Sequence, residues 1–203
     1  MINTYGGVMM NHTPCTKEEL KAFLDYESKL YRRKSGKYPV FALGESAIAY
    51  KYVYILRRAE FHHNSKHKLR ALLWRIRLSK MQERHGIKIP INTCGKGLKL
   101  IHVGSILVSP NAHIGENCSF HINTGVVAGG RTDAAPEIGN NVVIGIGAIL
   151  LGGIKIPDGC AIGAGALVNK SFDEENIGIA GVPARKISNN GKEAWHNRNK
   201  SEG

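Results

Sequence analysis

A large apolar residue returns at every sixth position, in one fixed register, through the second half of the chain. The positions are Val108, Ile114, Phe120 and Val126, then Ile138, Ile144, Leu150, Ile156, Ile162 and Val168. Six is neither the helical nor the strand period, so the pattern excludes a simple amphipathic helix or hairpin and requires a repeat. Four residues after most of these positions stands a smaller side chain: Ala112, Cys118, Thr124, Val142, Ala148, Cys160 and Ala166. Six residues accommodate one short strand and one tight corner, and three such units close a coil of roughly eighteen residues. The expected architecture is mainly β, a parallel β-helix in which each strand sends one aliphatic inward and stacked coils bury a continuous column. Gly115, Gly139, Gly145 and Gly163 directly follow inward aliphatics and are expected to relieve crowding at the corners, with positive φ as a further use.

The pattern is irregular in two places, and only the first shifts the register. Cys94 and Leu100 keep the spacing of six, but Val108 follows Leu100 by eight, and His102 lies inside that slip. A local bulge can turn a polar side chain out of a column toward a cleft, although a histidine satisfied by neighbouring backbone fits the same spacing. Between Val126 and Ile138 the run Gly129-Gly130-Arg131-Thr132-Asp133-Ala134-Ala135-Pro136 keeps the count of six but has the composition of a loop. Ile87-Lys88-Ile89-Pro90 reads as the first strand. The chain returns to the stem at residues 181–186, and residues 188–203 read as a polar, mobile tail in which Trp195 is a docking candidate.

The first part of the chain is helical in pattern and basic in charge. Thr16 with Glu19 forms a capping box ahead of Leu20, Phe23, Leu24, Leu30 and Tyr31, with a stop at Arg32-Arg33-Lys34-Ser35-Gly36 and a turn about Tyr38-Pro39. A second helix is expected over 45–61. A third is expected over 65–85, with Leu69, Leu72, Leu73, Ile76 and Met81 as its apolar positions and Gly86 as its stop. The domain plan is therefore a basic helical cap over 1–86, the β-helix over 87–187 and the tail over 188–203. Of the net charge of +12, residues 1–88 carry 18 basic and 7 acidic side chains, and residues 89–203 carry 10 and 9. Such an excess suits either a solvated helical surface or peripheral contact with anionic lipid. No nucleic-acid-binding motif accompanies it, so no nucleic-acid partner is expected. His62, His63 and His67 are expected on a helix surface rather than around a metal, and the four cysteines as reduced core thiols. Residues 1–13 lack the pattern of a signal peptide, and the protein is expected to be cytoplasmic, at most peripheral at the inner face of a membrane.

Several segments resemble the hexapeptide-repeat acyltransferases of the serine acetyltransferase type, including relatives that O-acetylate surface-polysaccharide sugars. They are Gly97-Leu98 with Leu100-Ile101-His102, then Ile114-Gly115-Glu116-Asn117-Cys118, the run from Pro136 through Gly145, and Gly181-Val182-Pro183-Ala184-Arg185. The resemblance implies a left-handed coil, acetyl-coenzyme A as co-substrate, and no metal. It also implies a homotrimer, or a dimer of trimers, with sites in the grooves between subunits. It places His102 at the catalytic histidine, as general base in direct transfer. It places Ile146 and Ala164 where backbone groups hold the pantetheine arm. Arg185 and Lys186 are candidates for the coenzyme A phosphates by charge and position.

The departures shape the expected acceptor. Where the resembling serine enzymes carry an aspartate before the histidine, this chain has Ile101. A second aspartate about fifteen residues upstream corresponds to Ile87, and a second histidine to Ala135. Each polar contact a zwitterionic serine lost would cost on the order of 1–3 kcal/mol. The expectation is therefore a sugar hydroxyl in surface-polysaccharide biosynthesis, with Glu116 and Asp133 as candidates to orient His102. The alternatives are a serine O-acetyltransferase with an altered pocket and a trimeric scaffold without activity. A zinc site of His102, His113 and His121, as in β-helical carbonic anhydrases, is disfavoured by their spacing.

Overall fold

The computed structural model describes residues 13–31 and 44–193, together with the backbone of a two-residue strand pair near the start. That pair is β1 (Thr4–Tyr5) and β2 (Val8–Met9), antiparallel. The expected stop at Arg32 to Gly36, the turn about Tyr38-Pro39, and Trp195 lie outside the described residues. Helix α1 spans Lys17–Leu30 and opens on the capping box: the Glu19 N–H donates to Thr16 Oγ1 at 3.1 Å, and the Thr16 N–H to Glu19 Oε2 at 3.0 Å. Helix α2 spans Glu45–Asn64 and α3 spans Lys68–His85, the latter ending at Gly86, whose φ of 69° is left-handed.

From Ile87 onward the chain winds into a parallel β-helix with three faces. One face carries β3 (Ile87–Lys88), β5 (Ile106–Val108), β8 (Thr124–Val127), β11 (Ile149–Leu151) and β14 (Leu167–Val168). The second carries β4 (Lys99–Leu100), β7 (Ser119–Phe120), β10 (Val143–Ile144), β13 (Ala161–Ile162) and β15 (Gly178–Gly181), closed by an antiparallel β16 (Ala184–Ser188). The third carries β6 (His113–Ile114), β9 (Glu137–Ile138) and β12 (Lys155–Ile156). Regular coils advance 18 residues, as in the pairing of Val143 with Ala161. The coil holding the slip advances 20, since Leu100 pairs with Phe120, and the coil holding residues 129–136 advances 24, since Phe120 pairs with Ile144. Both irregularities of the sequence are thus excursions that leave the stack in register.

All ten in-register aliphatic or aromatic positions are buried, none more than 4% exposed, and the seven smaller partners are buried with them. The glycines after the aliphatics serve closeness rather than φ. A Cβ on Gly145 would lie 2.7 Å from Ile162 O and 2.8 Å from the Ala164 nitrogen, so only glycine lets the coils approach. Positive φ falls instead on two corner columns, Asn117, Asn141, Gly159 and Asn176 in one, and Asn123, Gly147 and Gly165 in the other.

The helices cover the open first coil through a buried ionic cluster. Arg57 of α2 pairs with Glu27 of α1 and with Glu60, both at 2.8 Å, and all three side chains are fully buried. The guanidinium also donates to the Cys94 and Gly95 carbonyls at 2.9 and 2.6 Å. Glu27 accepts the Gly97 and Leu98 N–H groups, and Glu60 accepts that of Asn92. Tyr31 accepts the Leu100 N–H at 2.7 Å, and Tyr52 that of Ile89 at 3.1 Å. Burial pulls the Arg57 pKa down, but the two carboxylates outweigh it and hold the guanidinium charged; burial pushes the Glu60 carboxyl up, with Arg57 offsetting it in part.

Helix α3 corrects the sequence reading of its core face. Leu69, Leu72, Leu73 and Ile76 are exposed, whereas Ala71 and Leu78 are buried and Trp74 and Met81 half-buried. The helix is apolar on two sides and docks through the one bearing Trp74, whose ring is flanked by the Arg58 and Arg77 guanidinium groups. His62, expected on the surface, is buried and stacked on Trp74, and burial lowers its pKa. Cys94 and Cys118 are core thiols pushed up to about 12 by burial, while Cys15 is exposed. The polar tail begins docked, with the Lys192 N–H donating to Gly159 O at 2.8 Å. No helix among the described residues is long and apolar enough to cross a membrane.

Removing Arg57 leaves two buried carboxylates without a counter-charge and takes the guanidinium donor from two carbonyls. Arg57→Met should therefore cost about 3–5 kcal/mol in denaturant-induced unfolding, the range for breaking a buried pair on one side. A loss below about 1 kcal/mol would show that the cluster does not hold the helices to the coil.

Candidate active site

The corner between the second and first faces is where the slip falls. β4 ends at Leu100, β5 begins at Ile106, and the two extra residues are taken up in a bend that turns His102 out of the column, its side chain 51% exposed. The same corner one coil on holds His121 and Ile122, the next Ile146, and the next Ala164. The stacking is fixed by backbone bonds: Asn123 N–H to Ser105 O at 2.6 Å, Gly147 N–H to Ile122 O at 3.1 Å, and Gly165 N–H to Ile146 O at 2.8 Å. At about 4.8 Å per parallel strand, Ile146 stands about 10 Å along the corner from His102. Ile146 and Ala164 are both exposed, so the two residues expected to meet the acyl donor lie along one edge with the histidine at its foot. At the far end, Arg185 and Lys186 lie on exposed β16. Lys186 is ion-paired with Glu174, so of the two basic groups Arg185 is the less committed.

His102 is engaged by a residue the sequence reading did not single out. Glu45, the first residue of α2, places Oε2 3.2 Å from His102 Nδ1 and accepts the Val103 N–H on Oε1 at 2.8 Å. The Val103 N–H, then the His102 contact, holds its carboxyl below the usual carboxylate range. The two candidates named from sequence are elsewhere: Glu116 lies 3.9 Å from Lys96, and the Asp133 carbonyl accepts from Asn111. A contact spanning 57 residues has no sequence signal beyond an acidic residue at a helix start.

The His121 ring centroid is 6.0 Å from that of His102, and burial, then the neighbouring His102, lowers its pKa. His113 lies on the third face, so the three histidines do not converge. Ile87 and Ala135 are buried, and Ile101 is half-buried at the bend.

The family model described as bacterial transferase hexapeptide (six repeats) matches residues 135–170. Serine acetyltransferase 4 of Arabidopsis thaliana is 36% identical over 114 residues, covering 54% of this chain and 31% of that protein. Serine acetyltransferase of Buchnera aphidicola subsp. Schizaphis graminum is 30% identical over 155 residues, covering 69% and 59%. The chain therefore spans less than two thirds of the length of these curated relatives. Among solved structures, serine acetyltransferase of Brucella abortus in complex with coenzyme A superposes with a TM-score of 0.70 at 26% identity, covering 86% of this chain and 70% of that one. These relatives are named for serine, which overturns the expected sugar acceptor and polysaccharide pathway. The expectation fails on a tertiary contact: carboxylates are missing from the β-helix itself, but Glu45 brings one to the bend from α2. Repeat, fold and relatives agree in what the chain is similar to: the hexapeptide-repeat acyltransferases of the serine acetyltransferase type.

Proposed function

We propose that this protein is an acetyl-coenzyme A-dependent serine O-acetyltransferase with an altered acceptor pocket, using His102 as general base. The observation that carries the reading is the half-exposed imidazole displaced from the apolar column by the two-residue slip, at the foot of a straight corner edge. His102 takes the proton of the acceptor hydroxyl as its oxygen bonds to the thioester carbonyl carbon. The tetrahedral intermediate then expels the coenzyme A thiolate, and the imidazolium returns the proton to that sulfur. One group serves both steps, as direct transfer requires. Backbone groups at Ile146 and Ala164 hold the pantetheine arm, and Arg185, with Lys186 once freed from Glu174, meets the phosphates. The polar residues absent at Ile101, Ile87 and Ala135 make the acceptor pocket the altered part. A scaffold without activity drew its support from missing partners, and the carboxylate beside His102 removes much of that support.

His102→Asn should keep the fold and acetyl-coenzyme A affinity and lower turnover with serine on the order of a hundred-fold or more. His113→Asn and His121→Asn should cost much less. Wild-type turnover in His102→Asn, or a larger loss in His121→Asn, would move the base elsewhere.

A left-handed coil and a homotrimer with sites in the grooves between subunits belong to the same reading, supported by likeness of fold to the serine acetyltransferases. Light scattering should report three chains or a multiple of three, and a stable active monomer would end that part of it. The division into a basic helical cap (1–86), a β-helix (87–187) and a polar tail (188–203) belongs to the same reading. Peripheral contact of the cap with anionic lipid is supported by the exposed Leu69, Leu72, Leu73 and Ile76 among the arginines of α3. Sedimentation with phosphatidylglycerol vesicles but not phosphatidylcholine vesicles is the expected result; equal recovery in both supernatants would dismiss it.

A further inference from the structure

The Glu45 contact reaches beyond proximity. Its two oxygens are used at once, one on the Val103 N–H and one on His102 Nδ1, so the carboxylate is anchored to the same bend that carries the ring. A neutral imidazole has one N–H, and an ionised carboxylate can only accept. The proton must then sit on Nδ1, which leaves the Nε2 lone pair free to take a proton. Ile87, at the position where the resembling enzymes carry an aspartate, is fully buried and pairs with Ile106 on the first face, so it cannot supply this contact. We propose that Glu45 is the positioning residue of His102, holding its imidazole as the Nδ1–H tautomer with Nε2 toward the acceptor hydroxyl. The inference rests on His102 being the base.

The carboxylate's ionisation fits this role, since the Val103 N–H and His102 both favour the charged form. Fold stability is not what the pair supplies. Glu45 and His102 are each 51% exposed, and surface pairs of that kind contribute little. Helix α2 is held by Arg57 instead, so Glu45 can be changed without releasing the helix.

Glu45→Gln and Glu45→Asp test the proposal in the full-length protein. Glu45→Gln should lower kcat on the order of ten- to hundred-fold with KM for acetyl-coenzyme A within about twofold of wild type. Glu45→Asp should recover part of that loss. A merely structural role would not move the imidazole tautomer, read by two-bond ¹H–¹⁵N correlation spectra of the histidine rings. Wild type should show His102 as Nδ1–H, and Glu45→Gln a shift toward Nε2–H. An unchanged tautomer in Glu45→Gln overturns the proposal. So does an effect confined to a higher KM for serine at unchanged kcat, which would make Glu45 a substrate contact. If wild type fails to acetylate serine, the proposed function falls while the tautomer measurement still decides the role of Glu45.

Discussion

A β-helix has open ends, and the first coil of this one would present its backbone groups to water or to another chain. The Arg57 cluster closes that end. One guanidinium satisfies two carbonyls of the coil directly, and the two carboxylates it holds accept three of the coil's N–H groups. Its charges are costly to bury, which is why each needs the others: Arg57 alone, or either carboxylate alone, would carry an uncompensated charge into a fully buried site. The apolar face of α2 then packs beside the cluster, with Tyr52, Val53, Leu56 and Ala59 each fully buried.

Closure at one end lets the rest of the stack be regular, and regularity is what makes the slip informative. Coils separated by one strand spacing tolerate no stray bulk at the corners, as the close approach at Gly145 shows. Extra residues can only be expelled outward. The slip at residues 101–104 is one expulsion and puts an imidazole on the corner edge; residues 129–136 are the other and leave the column intact around them.

How much of this was legible in the sequence follows from the range of each interaction. The β-helix was legible because its unit recurs every six residues and the inward positions are independent of everything else. His102 stood out because it interrupts that recurrence. The docking side of α3 was not legible, since Leu69, Leu72, Leu73 and Ile76 make as good an apolar stripe as Ala71, Trp74, Leu78 and Met81, and only the α2 surface chooses between them. His62 was misplaced for the same reason. Glu45 was invisible because its meaning is set by a tertiary contact, and the acceptor was misread because a missing carboxylate was inferred from one half of the chain alone.

That last point bears on how the helices and the stem divide. Residue 86 marks a change of periodicity, yet the candidate site draws from both sides of it. Glu45 and Arg57 are twelve residues apart on one helix, about 18 Å at 1.5 Å per residue. Arg57 fixes that helix to Cys94 and Gly95 on one corner of the first coil, while Glu45 meets Val103 on another. A helix pinned at two points of the same coil has little freedom to slide. The position of the carboxylate beside His102 is therefore set by a buried ionic cluster on the other side of the coil, and the precision of the site depends on charges that never touch it.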